Sequence, residues 1–559
     1  MSQPNITIFT KPNCSYCVRA KTVLTDIGCS YQEYDVTANS RNADAAVYFS
    51  GASTVPQIFI GRYHINGAED FEQLRNSGQL KHLIAANEGS ILPIDSVTDA
   101  DLQAGIEDYP LRKVVSRIED AYRDDPEVWA SLQFYKDLFG FWPNTYTYLY
   151  NWPDAYKRFL YCHMIPAVGY AKPQLGSTNM FAVAYATSNA HGCTYCQTHS
   201  VAAQGESSLK IPQYLDQVRE GNKTSDNPFD ALSVAIADLS ADATRNQVKR
   251  SQIAQTIRLV AQKTAHEVDD RDSCNLDSSV AATMAAADEY LTGVEMMVTN
   301  LGFLNVFNDL TGVELEGDWA EQASQHGVVD AGHHPAQSEN PSNLDYDIPT
   351  NGSSIAEMMN KYDAAVGDLA DYTKRELGLL PDWMRLWPKP FVSFHAHLYG
   401  ETMGSQNCSS ISAELKHLMA RVSAISKDHT YLAAVEGFIA HHTAVDKPRS
   451  IERIRHCFEV ASRKQSYPAL FDTREAAALQ LAWLSAQMPL KTPQRFIKPV
   501  VAVYSAEELI HLSVVCATAS MVQRFVAIAK PNIEPVVTQF MKEKKLMSSV
   551  LMLRYPLSV

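Results

Sequence analysis

Hydrophobic and polar positions follow two different rhythms along this chain. Up to about residue 85 the apolar residues come in short runs bounded by turn formers. Ile6-Thr7-Ile8-Phe9 is a β-run, a helix opens at Cys14 and continues to about Ile27, and Tyr31 to Val36 is a second strand. A helical segment follows, then a third strand over Thr54-Val55-Pro56-Gln57-Ile58-Phe59-Ile60, a turn at Asn66-Gly67 and a last helix. This alternation predicts a small α/β unit.

From about residue 126 the rhythm becomes helical, with Ala-rich periodic segments broken by Pro and Gly and few strand-like runs. Two soft stretches interrupt it, Asn87-Glu88-Gly89-Ser90-Ile91-Leu92-Pro93 and residues 317–352, the latter holding Gly317, Gly327, Gly332, Pro335, Pro341, Pro349 and Gly352. The expected organisation is an α/β domain over 1–85, a linker and helical connection over 86–125, a helical repeat over 126–316, a linker over 317–352 and a second helical repeat over 353–559. The two halves align as a diverged internal repeat. Asn151-Trp152-Pro153 matches Leu386-Trp387-Pro388, and Cys193-Thr194-Tyr195-Cys196 matches His429-Thr430-Tyr431-Leu432. Asn227-Pro228-Phe229-Asp230 matches Leu470-Phe471-Asp472, and the long apolar stretches 295–310 and 508–525 match each other.

Composition narrows the function classes. The chain has 559 residues, which suggests roughly three to four domains, and 46% hydrophobic with 20% charged residues is ordinary for a globular protein. A net charge of -15 argues against nucleic acid as a partner, because phosphate binding needs clustered Lys and Arg. No leader and no uncharged apolar stretch of membrane-spanning length is read, so no membrane partner is expected. Ten cysteines are too few for a disulfide scaffold, and the reducing cytoplasm fits them best.

Chemistry concentrates in two dithiols of one form, Cys14-Ser15-Tyr16-Cys17 and Cys193-Thr194-Tyr195-Cys196. At a helix start the free N–H groups and the macrodipole favour a thiolate, so each pair is a candidate redox centre. Residues 1–85 resemble a glutaredoxin, a thioredoxin-like fold, through Lys11-Pro12-Asn13-Cys14-Ser15-Tyr16-Cys17, Thr54-Val55-Pro56 and Asn66-Gly67-Ala68-Glu69-Asp70. The resemblance implies Cys14 as nucleophile and Cys17 as resolving thiol. It implies Pro56 as a cis-proline bringing the Val55 backbone beside the active cysteine, with glutathione held by Lys11, Tyr16, Thr54 and the Glu69-Asp70 corner. Ser15 replaces the family's usual Pro and Asn66 the first Gly of its usual pair. The first change leaves open an iron–sulfur cluster between two monomers, although no tightly bound cofactor is expected.

The run Ala186-Thr187-Ser188-Asn189-Ala190-His191-Gly192-Cys193-Thr194-Tyr195-Cys196-Gln197-Thr198-His199-Ser200 resembles the carboxymuconolactone decarboxylase-like, AhpD-type alkylhydroperoxidases, and so does the helix over 295–310 continuing through Glu314 and Glu316. By that resemblance Cys196 attacks a peroxide and Cys193 resolves it. Two positions depart from the pattern: Phe181 stands where a helical Glu is expected, and Ser200 where a His usually falls. His199, on the Cys196 face of a helix, and His191 are the substitute bases. A zinc reading of His191, Cys193, Cys196 and His199 is the minority alternative, and no resident metal is expected.

Cys162, Cys408, Cys457 and Cys516 read as core thiols, Cys29 as packing, and Cys274 as exposed among acidic neighbours. His326, His333 and His334 read as solvated linker residues. The expected function is a thiol-dependent hydroperoxide reductase whose second dithiol is recycled by its own glutaredoxin domain at the expense of glutathione, with a hydroperoxide or disulfide as substrate. The rival is a glutaredoxin-type reductase, or a redox-regulated binding protein, with a helical part that does not turn over. A lyase has little to support it, and a homo-oligomer stays open.

Overall fold

The computed structural model describes residues 5–118, 120–203, 210–269, 276–325, 327–328, 332–337, 347–404, 410–546 and 549–556, with the backbone alone for 265–269 and 276–282. The chain divides into two compact units. One gathers Met1–Pro110, His417–Ser505 and Pro535–Val559, and the other Leu111–Lys416 and Ala506–Glu534.

In the first unit, β1 (Ile6–Thr10), α1 (Ser15–Asp26), β2 (Gln32–Asp35), α2 (Ser40–Ser50), β3 (Gln57–Ile60), β4 (Tyr63–Ile65), α3 (Ala68–Asn76), α4 (Gln79–Ala86) and α5 (Asp99–Ile106) follow in order. The strands form one mixed sheet in the order β2-β1-β3-β4, with β1 parallel to β2 and antiparallel to β3. The register sets Ile6 opposite Ile60 and Ile8 opposite Ile58. Strand period two then divides the sheet into faces. Ile6, Ile8, Ile58 and Ile60 bury against Ala20, Val23, Leu24, Phe71 and Leu74, whereas Phe9 and Phe59 bury against Ala45, Ala46 and Leu102 on the other side. This is the thioredoxin-like arrangement expected, and it places the start of α1 at the end of β1.

Beyond this sheet the described residues are helical. Two of the position pairs aligned in the sequence share a local device. Asp230 and Asp472 each cap a helix through a reciprocal capping box, with Ser233 and Glu475 respectively. Cys193 and His429 each stand at the N-cap of the helix that follows. In the second unit the helix Leu276–Thr311 packs along Ala506–Ala529, and Gly302 makes that approach close. A Cβ there would lie 3.0 Å from both Met521 Cα and Arg524 Cδ. Among the described residues Ala506–Ala529 is the one helix long and apolar enough to cross a membrane, and 94% of that apolar window is buried inside the protein.

Two expectations need correction. His333 and His334 are buried rather than solvated, because residues 332–337 fold back on the helix Leu276–Thr311 and its extension, Leu315 bridging to Ala336. The stretch expected as a linker also contains a helix, Gly317–Gln325. Cys162, Cys457 and Cys516 are buried core thiols and Cys29 packs half-buried, while Cys274, Cys408 and His326 lie outside the described residues.

Candidate functional site

The first dithiol sits at the N-terminus of α1. Cys14 is the N-cap, and the Cys17 amide donates to its sulfur at 3.1 Å. The two are disulfide-bonded with Cα atoms 5.2 Å apart. Cys14 Sγ lies 3.9 Å from the Val55 carbonyl oxygen, and the Val55-Pro56 peptide is cis. Lys11, Tyr16 and Thr54 are exposed around this end, and the Arg19 guanidinium lies over the Tyr16 ring. Gln57 donates to the Thr54 carbonyl at 2.7 Å, fixing the turn before β3.

The acidic corner is arranged differently from an open ligand site. Glu69 is exposed, but Asp70, in the first turn of α3, is buried. Arg554 Nη1 donates to both Asp70 carboxylate oxygens at 2.8 Å, and the Tyr555 hydroxyl donates to one of them at 2.5 Å. A guanidinium of the same chain therefore holds the carboxylate that the resemblance places in the glutathione-binding corner.

The second dithiol is built by a helix break in the second unit. The helix Ile165–His191 ends at Gly192, whose φ of 94° suits glycine, and Cys193 then caps Thr194–Ala202. One helical turn places Cys196 and His199 on one face. Both cysteines are buried, and both are free thiols. Burial pushes the Cys193 thiol well up, and its bonds to Cys196 and Asp309 push the same way.

Cys196 faces a cavity of about 80 Å3. Apolar side chains, including Phe139, Met164, Met180, Phe181 and Leu301, make most of its wall, and His199 and Asn308 share it. Asn308 Nδ2 donates to Cys196 Sγ at 3.2 Å, and Thr145 Oγ1 donates to Asn308 Oδ1, so the amide presents its NH2 end to sulfur. Phe181, at the position where a Glu was expected, contributes an aromatic wall instead.

The carboxylate comes from elsewhere. Glu316 Oε2 pairs with His199 Nε2 at 2.6 Å. Its other oxygen accepts from the Asn144 amide at 2.7 Å and the Tyr195 hydroxyl at 2.8 Å. Burial would raise the Glu316 carboxyl, but His199 and these donors outweigh it and hold it below its ordinary value. Burial, reinforced by Glu316, pushes the Tyr195 phenol well up, so it stays a donor. Ser200 donates to the Cys196 carbonyl at 2.7 Å and takes no part in this pairing.

In the sequence Glu316 is legible only as part of the family resemblance, His334 reads as solvated, and Asn308, Asp309 and Arg524 are not singled out. The available signal was an Asn308-Asp309 pair near the end of a long, largely buried helix. His191, the second candidate base, lies behind Cys193, where Arg524 Nη2 donates to its Nδ1 at 3.1 Å.

A family model described as glutaredoxin matches residues 6–65. Glutaredoxin 3 of Escherichia coli (strain K12) is 41% identical over 80 residues, covering 14% of this chain and 96% of its own length. The hybrid peroxiredoxin hyPrx5 of Haemophilus influenzae is 45% identical over 75 residues, 13% of this chain and 29% of its own. Among solved structures, a solution structure of glutaredoxin from Brucella melitensis shares 35% identity, covering 16% of this chain and 98% of that one at a TM-score of 0.15.

Proposed function

From the premise that the chain belongs to the glutaredoxin family through residues 6–65, we propose that it is a hydroperoxide reductase carrying its own thiol reductant. Thiol–disulfide oxidoreduction follows from the family. The peroxidase step is our reading of the helical region, which we take as AhpD-like. One observation carries it: Cys196 stands in the wall of an apolar cavity, with an amide donor on its sulfur and a carboxylate-oriented imidazole one helical turn away.

In this reading His199 takes the Cys196 thiol proton while Glu316 stabilises the imidazolium. The thiolate attacks the distal peroxide oxygen, the O–O bond breaks, and the alkoxide leaves with the proton from His199. The product is an alcohol and a Cys196 sulfenic acid. The Cys193 thiol condenses with it, releasing water and forming the Cys193–Cys196 disulfide. Reduced Cys14 then attacks that disulfide and Cys17 resolves the mixed disulfide, moving two electrons to the helical pair. Two glutathione thiols restore Cys14 and Cys17 and leave as glutathione disulfide. Tethering both dithiols on one chain raises the effective concentration of reductant. The likeness to a hybrid peroxiredoxin supports joining a glutaredoxin to peroxide chemistry in one polypeptide.

The test is hydroperoxide consumption with glutathione, in wild type and in Cys196→Ser. A rate that vanishes in the variant is expected, and equal rates would sink the proposal. The second reading, a redox-regulated binding protein, draws on Asp70, whose carboxylate is already held by Arg554. It becomes the better account if the two rates coincide.

A further inference from the structure

Cys193, Asp309 and His334 come from three separate stretches of sequence and converge in the interior of the second unit. One ligand atom from each lies within 4.8 Å of the others, and all three residues are buried. The His334 ring is oriented by a backbone group: its Nδ1 lies 2.8 Å from the Val313 carbonyl oxygen. A carbonyl only accepts, so Nδ1 carries a proton. His334 Nε2 then points at Asp309 Oδ1, 3.1 Å away. Metal-binding histidines are held in this way, with one nitrogen on a carbonyl and the other on the ion.

His191 stands outside this set. Because its Nδ1 accepts from Arg524, its Nε2 carries the proton and lies 3.4 Å from Asp309 Oδ2 without hydrogen-bonding it. It therefore offers no lone pair toward this set. His199 is committed to Glu316, so the four-residue zinc set considered from the sequence is not brought together.

We propose that Cys193, Asp309 and His334 form a site for a thiophilic divalent cation of the zinc type in the reduced protein. Thiolate, carboxylate and neutral imidazole are all zinc donors, and three protein ligands leave a fourth position open. Two such donors on a tetrahedral zinc lie about 3.3 Å apart, given bonds of about 2.0–2.1 Å. The 3.1 Å between His334 Nε2 and Asp309 Oδ1 is within a few tenths of that edge. On binding, the Cys193 proton and the proton between His334 Nε2 and Asp309 leave to solvent, and one thiolate plus one carboxylate offset the dication, with the buried Arg524 guanidinium adding a further positive charge nearby.

The ion and the disulfide compete for one sulfur. When a hydroperoxide takes two electrons from Cys193 and Cys196, with one proton from the Cys196 thiol and one from solvent, giving alcohol, water and an S–S bond, Cys193 loses the charge that holds the ion, which departs. This competition rests on the dithiol reading above, whereas the binding itself does not.

The experiment uses the full chain with Cys14→Ser and Cys17→Ser, reduced and anaerobic, titrated with Co(II) and then displaced with Zn(II). Uptake of a single equivalent with a thiolate-to-cobalt charge-transfer band is expected. Cys193→Ser should abolish the band, Cys196→Ser should keep it, and His334→Gln and Asp309→Asn should each weaken binding about 10-fold or more. X-ray absorption of the zinc form needs no further variant, and one sulfur among nitrogen and oxygen donors is expected. No uptake, two sulfurs, loss of the band in Cys196→Ser, or affinity indifferent to His334→Gln and Asp309→Asn overturns the site. Adding tert-butyl hydroperoxide should release the ion. Retention after that treatment overturns the competition and the dithiol reading together, and leaves the site standing.

Discussion

Glu316 and His199, separated by 117 residues in sequence, meet at 2.6 Å beside the Cys196 cavity. In the proposed reading Glu316 takes the place of the carboxylate absent at position 181. The pair is then the proton relay of that reading, and it can be tested residue by residue.

Glu316→Gln keeps the shape and removes the charge. The peroxide rate should fall about 10- to 100-fold, at or below the smallest contribution of a direct acid–base group, because Glu316 acts through His199. His199→Ala should fall at least as far, and the double variant no further than His199→Ala alone, since the two act as a unit. Steady-state kcat for the three proteins reads this directly.

The same carboxyl sets a pH dependence of stability. Its folded pKa is depressed by His199 and its donors in spite of burial. Such a group stabilises the fold fully above its unfolded pKa of about 4.3 and loses that contribution as the pH falls through the lower folded value. Urea melts of wild type and Glu316→Gln should therefore differ most near neutrality and converge below about pH 4. A gap that widens on acidification would contradict the assignment.

Asp70 and Arg554 form a buried ion pair. Arg554→Ala leaves the Asp70 charge uncompensated and should cost about 3–5 kcal/mol, while adding Asp70→Asn should restore part of the loss. Denaturant midpoints of the two single variants and the double variant close the cycle.

Ala184 lines the cavity at Cys196. Ala184→Leu adds three carbons to a space of about 80 Å3. The variant should lose at least about 10-fold in kcat/KM for cumene hydroperoxide, a pocket effect of 1–3 kcal/mol, and much less for hydrogen peroxide. Equal losses would mean that the substrate does not enter by this cavity.

Asp230 and Asp472 each close a capping box. Replacing either with Ala should lower stability by about 1 kcal/mol without changing peroxide turnover. Thermal unfolding and rate measurements on the same preparations separate the two effects.

Local signals fixed much of this protein before any coordinates. The period-two run Ile6 to Phe9 and the Cys14 helix start define the first domain, because neighbours in sequence suffice to choose strand, cap and face. Paired Asp230 and Asp472 mark matching helix starts for the same reason. What the residues alone left open was which distant side chains would meet. Asp70 reads as an open acid until Arg554, 484 residues away, fills it. His333 and His334 read as solvated until the chain folds back over Asp309. Glu316 reads as one acid among many until packing seals it beside His199. Burial and long-range pairing depend on how helices stack, and that information is spread over the whole core rather than carried by any short motif.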